Sequence, residues 1–213
     1  MFEVGEIIDG KYRVDGVCSD SGGMGQILFV EPTEETDSHT KIVLKYCRQT
    51  DSEYVQRFRR EVRMLDEFSE NSRVVEILDF NLEFEPPYFV MPFYAGGDLT
   101  TVRDRLRTDA AFQETIFLQM VDCVAELHSR GKFHRDIKPE NFLRDEQGIR
   151  VSDLGLSMEV NSPTAFTRSS QYWGTPGYLP PEFEDGGFRH ADAAGDVFML
   201  EAVSKLSGWS EPV

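Results

Sequence analysis

The chain has 213 residues, of which 40% are hydrophobic and 12% aromatic; that is enough to build a real core and excludes a disordered chain. A net charge of −16 and an isoelectric point near 4.6 exclude non-specific nucleic-acid binding and docking on anionic lipid, and favour basic partners. Three widely spaced cysteines, Cys18, Cys47 and Cys123, exclude a disulfide framework and a zinc site and suit a reducing compartment.

The amino-terminal end is acidic and carries no apolar signal core. The longest mostly apolar run, Tyr88 to Ala95, is interrupted by Pro92 and too short to span a bilayer. A cytoplasmic chain without a membrane segment is expected. In chain order, Tyr12 to Val17, Gln26 to Val30 and Ile42 to Cys47 are apolar or β-branched runs between turn-forming residues, and they predict strands. Glu31 to Thr40 reads as a surface loop. Val55, Phe58, Val62 and Leu65 recur at three and four residues and predict a helix, with Thr50 and Glu53 spaced for a capping box. Strands are predicted again near Val74 to Phe80 and at Tyr88 to Phe93, connected through Pro86 and Pro87. Five strands and one helix make a first domain over residues 1–95.

From Gly96 and Gly97 onward the pattern turns helical, giving a second domain over residues 96–213. Leu99, Val102 and Leu106 share a face. Phe112, Ile116, Met120, Cys123 and Leu127 mark a longer helix that Gly131 can end. Phe133 to Leu156 is strand-rich, and Asp192 to Leu206 is helical again. His39, His128 and His190 have no partner pattern and read as structural or surface residues.

The run His134, Arg135, Asp136, Ile137, Lys138, Pro139, Glu140, Asn141 places a carboxylate, an ammonium and a carboxamide on one short loop. Phosphoryl transfer from a metal-bound nucleotide needs those groups. Asp136 can orient and deprotonate a hydroxyl, Lys138 can neutralise the moving phosphate, and Asn141 can ligate magnesium. Asp153, Leu154 and Gly155 begin twelve residues beyond Asn141. Folding the chain about the Asp145 to Gly148 turn brings Asn141 roughly opposite Asp153, and paired hairpin residues lie about 5 Å apart at Cβ. One magnesium cluster can then be held by both. In the predicted central strand, Lys45 must point to solvent or find an anion. Glu61, sixteen residues on, lies about 40° from Leu65 at the rim of the helix's apolar stripe and can reach toward the sheet. Gly22, Gly23, Met24 and Gly25 form a glycine-rich turn whose backbone N–H groups can approach phosphate.

Together these motifs resemble the catalytic domain of serine/threonine protein kinases, in a style similar to the bacterial members. The match runs from Tyr12 to about Gly208. The resemblance implies an α+β, two-lobed fold: a five-stranded antiparallel sheet lobe binding ATP, then a helical catalytic lobe. It implies Mg-ATP as cofactor, protein hydroxyls as acceptors, and Asp136 as base with Lys138 beside it. By the same resemblance Lys45 grips the α- and β-phosphates and Glu61 holds Lys45. The other ATP-binding positions it implies are Gly22, Gly23, Met24, Gly25, Ile27, Val43, Met91, Pro92, Tyr94 and Leu143. Asn141 and Asp153 are the metal ligands. Thr175 is on the substrate side, Thr167 and Ser169 are candidate phosphorylation sites, and Asp196 braces the backbone around Arg135.

The chain departs from the pattern in several places, among them Val43 and Pro180, each where alanine is usual. Asp20 stands where the first glycine of the loop is usual, Leu154 replaces phenylalanine, and Val213 comes soon after the central helix. The last departure implies an incomplete helical lobe: either the chain is a fragment or natural truncation, or a second copy or a partner covers the exposed faces. Two other readings stay open at this point: a catalytically impaired kinase-fold module acting by binding, and a kinase-like small-molecule phosphotransferase. The latter typically lacks the Lys138 to Glu140 run and the Gly174 to Glu182 segment.

Overall fold

Alternating apolar residues draw the amino-terminal part of the chain into a sheet. The structure, a computed structural model, describes residues 1–19, 25–34, 40–68, 71, 73–156, 158–159, 177–181 and 192–206. Its chain divides into two compact units, one of residues 1–71 and 75–93 and the other of residues 72–74 and 94–213.

In the first unit, β1 (Ile7–Ile8), β2 (Tyr12–Ser19), β3 (Gly25–Pro32), β4 (Ile42–Cys47), β5 (Asp79–Asn81) and β6 (Tyr88–Pro92) form one antiparallel sheet in the order β1-β2-β3-β4-β6-β5. Side chains alternate across a strand, so one face collects Val14, Leu28, Val30, Leu44, Tyr46, Tyr88 and Val90 into a buried cluster with Ile8. The opposite face carries Val43, Phe89 and Met91. The helix α1 (Ser52–Asp66) lays Phe58, Val62 and Leu65 inward, and Phe58 meets Phe89 with ring centroids 5.7 Å apart.

Three expectations change here. The sheet has six strands rather than five, because Ile7–Ile8 adds an edge pairing with Tyr12 and Arg13. The strand foreseen near Val74 to Phe80 begins only at Asp79; Val74 instead makes a parallel bridge with Val151 in the second unit. The helix starts on Asp51, whose carboxylate accepts the Glu53 N–H at 2.8 Å, so the cap lies one residue beyond Thr50.

Polar ties fix the β1–β2 turn. The Tyr88 hydroxyl (2.7 Å) and Asn81 Nδ2 (2.8 Å) both donate to Asp9 Oδ2. Lys11 and Tyr12 donate to Asp79 Oδ2 at 2.9 and 2.8 Å. The bonds from Asn81 and Tyr88 hold the Asp9 carboxyl below its ordinary range, so they stabilise the fold above that range and the contribution fades as acid protonates Asp9. All three cysteines are free thiols, and burial pushes Cys123 up to about 12.

The second unit opens with a 3₁₀ turn (Leu99–Val102) capped by Asp98, then α2 (Arg103–Thr108) and α3 (Ala110–Ser129). Of the predicted stripe, Ile116, Met120, Cys123 and Leu127 are buried along α3, while Phe112 in its first turn is half-buried. Gly131, at φ 66°, carries the chain past the helix end. β7 (Lys132–Phe133) pairs with β10 (Met158–Glu159), and β8 (Phe142–Asp145) with β9 (Gly148–Val151). The final described element is α4 (Ala193–Leu206).

Gly96 closes against β8. Its N–H donates to the Arg144 carbonyl at 3.0 Å, and Arg144 N–H donates to the Gly97 carbonyl at 2.8 Å. A Cβ on Gly96 would lie 2.6 Å from that Arg144 carbonyl oxygen. Gly96→Ala is therefore expected to cost about 1–3 kcal/mol, because backbone rather than a movable side chain stands in the way. Gly16, with nothing within 4 Å of its Cβ position, is the control. Calorimetry should show a lower Tm for Gly96→Ala than for Gly16→Ala, and equal values would refute the clash.

Candidate active site

The first cluster lies in the sheet unit. In β4, Leu44 and Tyr46 take the buried cluster, so alternation sends Lys45 to the face covered by α1. There Lys45 Nζ lies 2.6 Å from Glu61 Oε1. Glu61 is 1% exposed, deeper than the rim position its helical angle suggested. Burial strengthens the attraction, while desolvation opposes it. Across the sheet, Lys45 pairs with Ile27 on one side and Phe89 on the other, and Val43 pairs with Met91. Val43 and Met91 are buried, Ile27 and Pro92 half-buried. Gly25 packs against β4 so closely that a Cβ would lie 2.9 Å from the Tyr46 carbonyl oxygen. Asp20, Gly22, Gly23 and Met24 lie outside the described residues.

The second cluster is the loop from His134 to Asn141 in the helical unit. Asp136 Oδ2 receives Lys138 Nζ at 2.8 Å and Asn141 Nδ2 at 3.2 Å, and the same Nδ2 donates to the Asp136 carbonyl at 2.7 Å. A carbonyl oxygen only accepts, so this contact fixes the Asn141 amide orientation and turns Oδ1 away from Asp136. His134 Nε2 donates to the Ser152 carbonyl at 3.0 Å, which leaves Nδ1 to accept the Asp136 N–H at 3.2 Å. Asp136 and Asn141 are 8% and 4% exposed.

The β8–β9 register pairs Phe142 with Val151, and Ser152 N–H donates to the Asn141 carbonyl at 2.8 Å. Asn141 thus lies across from Ser152, one step short of Asp153. Asp153 follows in the left-handed region at φ 57°, immediately before the 3₁₀ turn Leu154–Leu156. Leu143, half-buried in β8, also bridges Asp98. Tyr94 is buried at the start of this unit. Thr167, Ser169, Thr175 and Glu182 lie outside the described residues, as do His39 and His190.

One further carboxylate organises this loop. Asp196, in the first turn of α4, is fully buried; Oδ2 accepts the His134 N–H and Oδ1 the Arg135 N–H, each at 2.8 Å. Arg135 itself sits at φ 70°, a conformation that needs such anchoring. His128, whose sequence context reads as that of a structural or surface residue, also reaches Asp196 Oδ2, at 2.8 Å from Nε2. Its sequence position gave no signal, because Asp196 is 68 residues away.

The description "protein kinase domain" matches residues 21–203 of this chain. The chain is 30% identical over 204 residues to the serine/threonine-protein kinase PrkC of Bacillus subtilis, covering 94% of this chain and 30% of that protein. It is 30% identical over 211 residues to the DNA damage-responsive serine/threonine-protein kinase RqkA of Deinococcus radiodurans, covering 93% and 30%. To CBL-interacting serine/threonine-protein kinase 24 of Arabidopsis thaliana it is 29% identical over 196 residues, covering 91% and 43%. The chain therefore spans 30% to 43% of the length of these relatives. With the sheet-and-helix architecture, the His134 to Asn141 loop and this match over most of its length, the chain belongs to the protein kinase family, and its relatives are serine/threonine kinases.

Proposed function

We propose that this chain transfers the γ-phosphate of Mg-ATP to serine and threonine hydroxyls of proteins. The observation that carries the reading is the Asp136 carboxylate, held through Oδ2 by Lys138 and Asn141 on a loop whose backbone is itself anchored. A carboxylate with a fixed direction can align an acceptor hydroxyl and take its proton as the new P–O bond forms. Lys138 stands beside it as a cation for the charge on the phosphoryl oxygens.

Lys45 binds the α- and β-phosphates, and Glu61 holds its ammonium in place. Gly22, Gly23, Met24 and Gly25 present backbone N–H groups to phosphate. Ile27, Val43, Met91 and Leu143 are apolar contacts for adenine, with Pro92 and Tyr94 offering backbone polar groups. Magnesium fits the donor set: both Asn141 contacts to Asp136 run through Nδ2, so Oδ1 is its ligand atom, with the Asp153 carboxylate as second ligand. When bound, the metal supplies charge neutralisation for the triphosphate. In this reading residues 1–95 bind ATP and residues 96–213 carry the catalytic and acceptor side, with Thr175 facing the acceptor.

The names of the relatives support serine and threonine as acceptors. The net charge of −16 favours acceptor segments rich in Lys and Arg and disfavours nucleic acid. Among the described residues no helix is long and apolar enough to cross a membrane, and a cytoplasmic site of action fits the free cysteines. Thr167 and Ser169 are the residues on which the chain phosphorylates itself, with Arg135 as the cation that receives the phosphate.

Removing the proposed base should reduce turnover by about 10²–10⁴-fold while ATP affinity changes little. Radiolabelled phosphate transfer to a generic basic protein measures this for Asp136→Asn. Activity equal to that of the parent chain would sink the kinase reading. Lys45→Met should instead weaken nucleotide binding, read by calorimetric titration with Mg-ATP, and unchanged affinity would remove Lys45 from the phosphate site. Replacing Thr167 and Ser169 together with alanine should abolish most self-labelling seen by mass spectrometry; full labelling at other residues would refute these two positions.

A further inference from the structure

We propose that Gln26 and Tyr46 are positioning residues for Lys45 and the glycine-rich turn, acting from the opposite face of the sheet. Alternation along β3 puts Gln26 on the same face as Leu28 and Val30, and along β4 it puts Tyr46 on the same face as Leu44. Gln26 and Tyr46 are 2% and 3% exposed. The Tyr46 hydroxyl donates to Gln26 Oε1 at 2.5 Å, and the Phe2 ring meets the Tyr46 ring edge-on at a centroid distance of 4.9 Å. On a face that is otherwise apolar, burying an amide costs free energy that a leucine would not. What the amide adds is a bond with a direction.

That bond lies at the root of the glycine-rich turn. The ladder between β2 and β3 ends at Ser19 opposite Ile27, with its register slipping between Val17 and Ser19. The ladder between β3 and β4 runs two residues further, through Gln26 opposite Tyr46 to Gly25 opposite Cys47. A side-chain bond across the Gln26–Tyr46 pair therefore locks the end of β3 onto β4. On the other face the same end meets the lysine. The Cβ position of Gly25 lies 3.4 Å from both Cγ and Cε of Lys45, and Ile27 is the cross-strand partner of Lys45. Gly25 thus leans on the stem whose Nζ Glu61 holds at 2.6 Å. Glu61 fixes the head of the lysine, and the Gln26–Tyr46 bond fixes the backbone against its stem. Without that bond Gly25 can lift from the stem, and the turn shifts relative to the ammonium.

The effect on ATP rests on the kinase reading; the effect on the strand amides does not, and the experiment separates them. Tyr46→Phe removes the hydroxyl alone. Tyr88→Phe removes another hydroxyl of the same cluster, one that serves Asp9 instead. Tyr46→Phe combined with Gln26→Leu removes both polar partners, a replacement close to neutral for stability. In Tyr46→Phe, KM for ATP in phosphate transfer to a basic protein should rise about five- to tenfold, with kcat within about twofold. Tyr88→Phe should leave KM within about twofold of the parent. In the double variant Tm should return to within about 2 °C of the parent while KM stays raised. Hydrogen exchange over residues 25–27, measured without nucleotide, should quicken about tenfold in Tyr46→Phe and stay near the parent rate in Tyr88→Phe. Unchanged KM and unchanged exchange in Tyr46→Phe would overturn the proposal. So would an equal rise of KM in Tyr88→Phe, or a KM that recovers together with Tm in the double variant, since lost stability alone would then explain the effect. If the double variant fails to fold, the contrast between the two single variants decides. A parent chain that transfers no phosphate defeats the kinase reading and leaves the exchange rates to decide the role of the pair.

Discussion

A charge with no access to water is tolerable only where donors converge on it, and Asp196 is the residue on which the helical unit meets that requirement. The dependence runs both ways. His134 and Arg135 have buried backbone N–H groups in a turn that offers them no ladder, and such groups need an acceptor. Asp196 supplies it from α4, about 60 residues away in sequence. Order then passes along the loop by successive bonds: Asp136 N–H to the His134 ring, Asn141 Nδ2 to the Asp136 carbonyl, and Ser152 N–H to the Asn141 carbonyl. Each fixes the backbone from which the next donor or acceptor projects.

The sheet unit reaches the same end by a different route. Its lysine is positioned by period-two alternation rather than by a network. Once Leu44 and Tyr46 join the apolar cluster, Lys45 has no choice of face. The helix on that face must then offer an anion or leave the ammonium unsatisfied, and Glu61 is one turn from Phe58 and Leu65 on the packed side of α1. The strand pattern and the helix pattern are thus coupled through one ion pair.

Local patterns made most of this legible in the sequence. The strands around Leu28, Leu44 and Val90, the stripe along α3, the β8–β9 turn and the loop of His134 to Asn141 all carry their signal within a few residues. Features set by distant partners did not. Ile7–Ile8 is too short to show a period, and becomes a strand only because β2 offers an open edge. Val74 reads as the start of a strand, yet Val151 claims it. Asp51 and Thr50 are both good caps, and only the geometry chooses between them. His128 lies in the last turn of α3, where a histidine signals nothing in particular; its bond to Asp196 is visible only once α4 brings that carboxylate to it. The placement of Asn141 was legible to within one residue, because hairpin register depends on which turn residues are counted as unpaired.

The ion pair between half-buried Lys45 and buried Glu61 bears on function as well as on fold. Glu61 lies at 1% exposure on the same helix face as Phe58, Val62 and Leu65, where an apolar side chain would pack without any desolvation cost. Replacing a buried ion pair by apolar residues of similar volume is often neutral or stabilising by about 1–4 kcal/mol. Stability alone therefore gives no reason for charges at Lys45 and Glu61. Under the proposed kinase activity, a lysine that meets phosphate gives one. An ammonium needs a fixed direction to bind an anion selectively, and a flexible four-carbon stem does not provide it. A carboxylate that cannot itself move, because a packed helix carries it, restricts that stem before any nucleotide arrives. The cost of burying Glu61 is then the cost of preorganising Lys45.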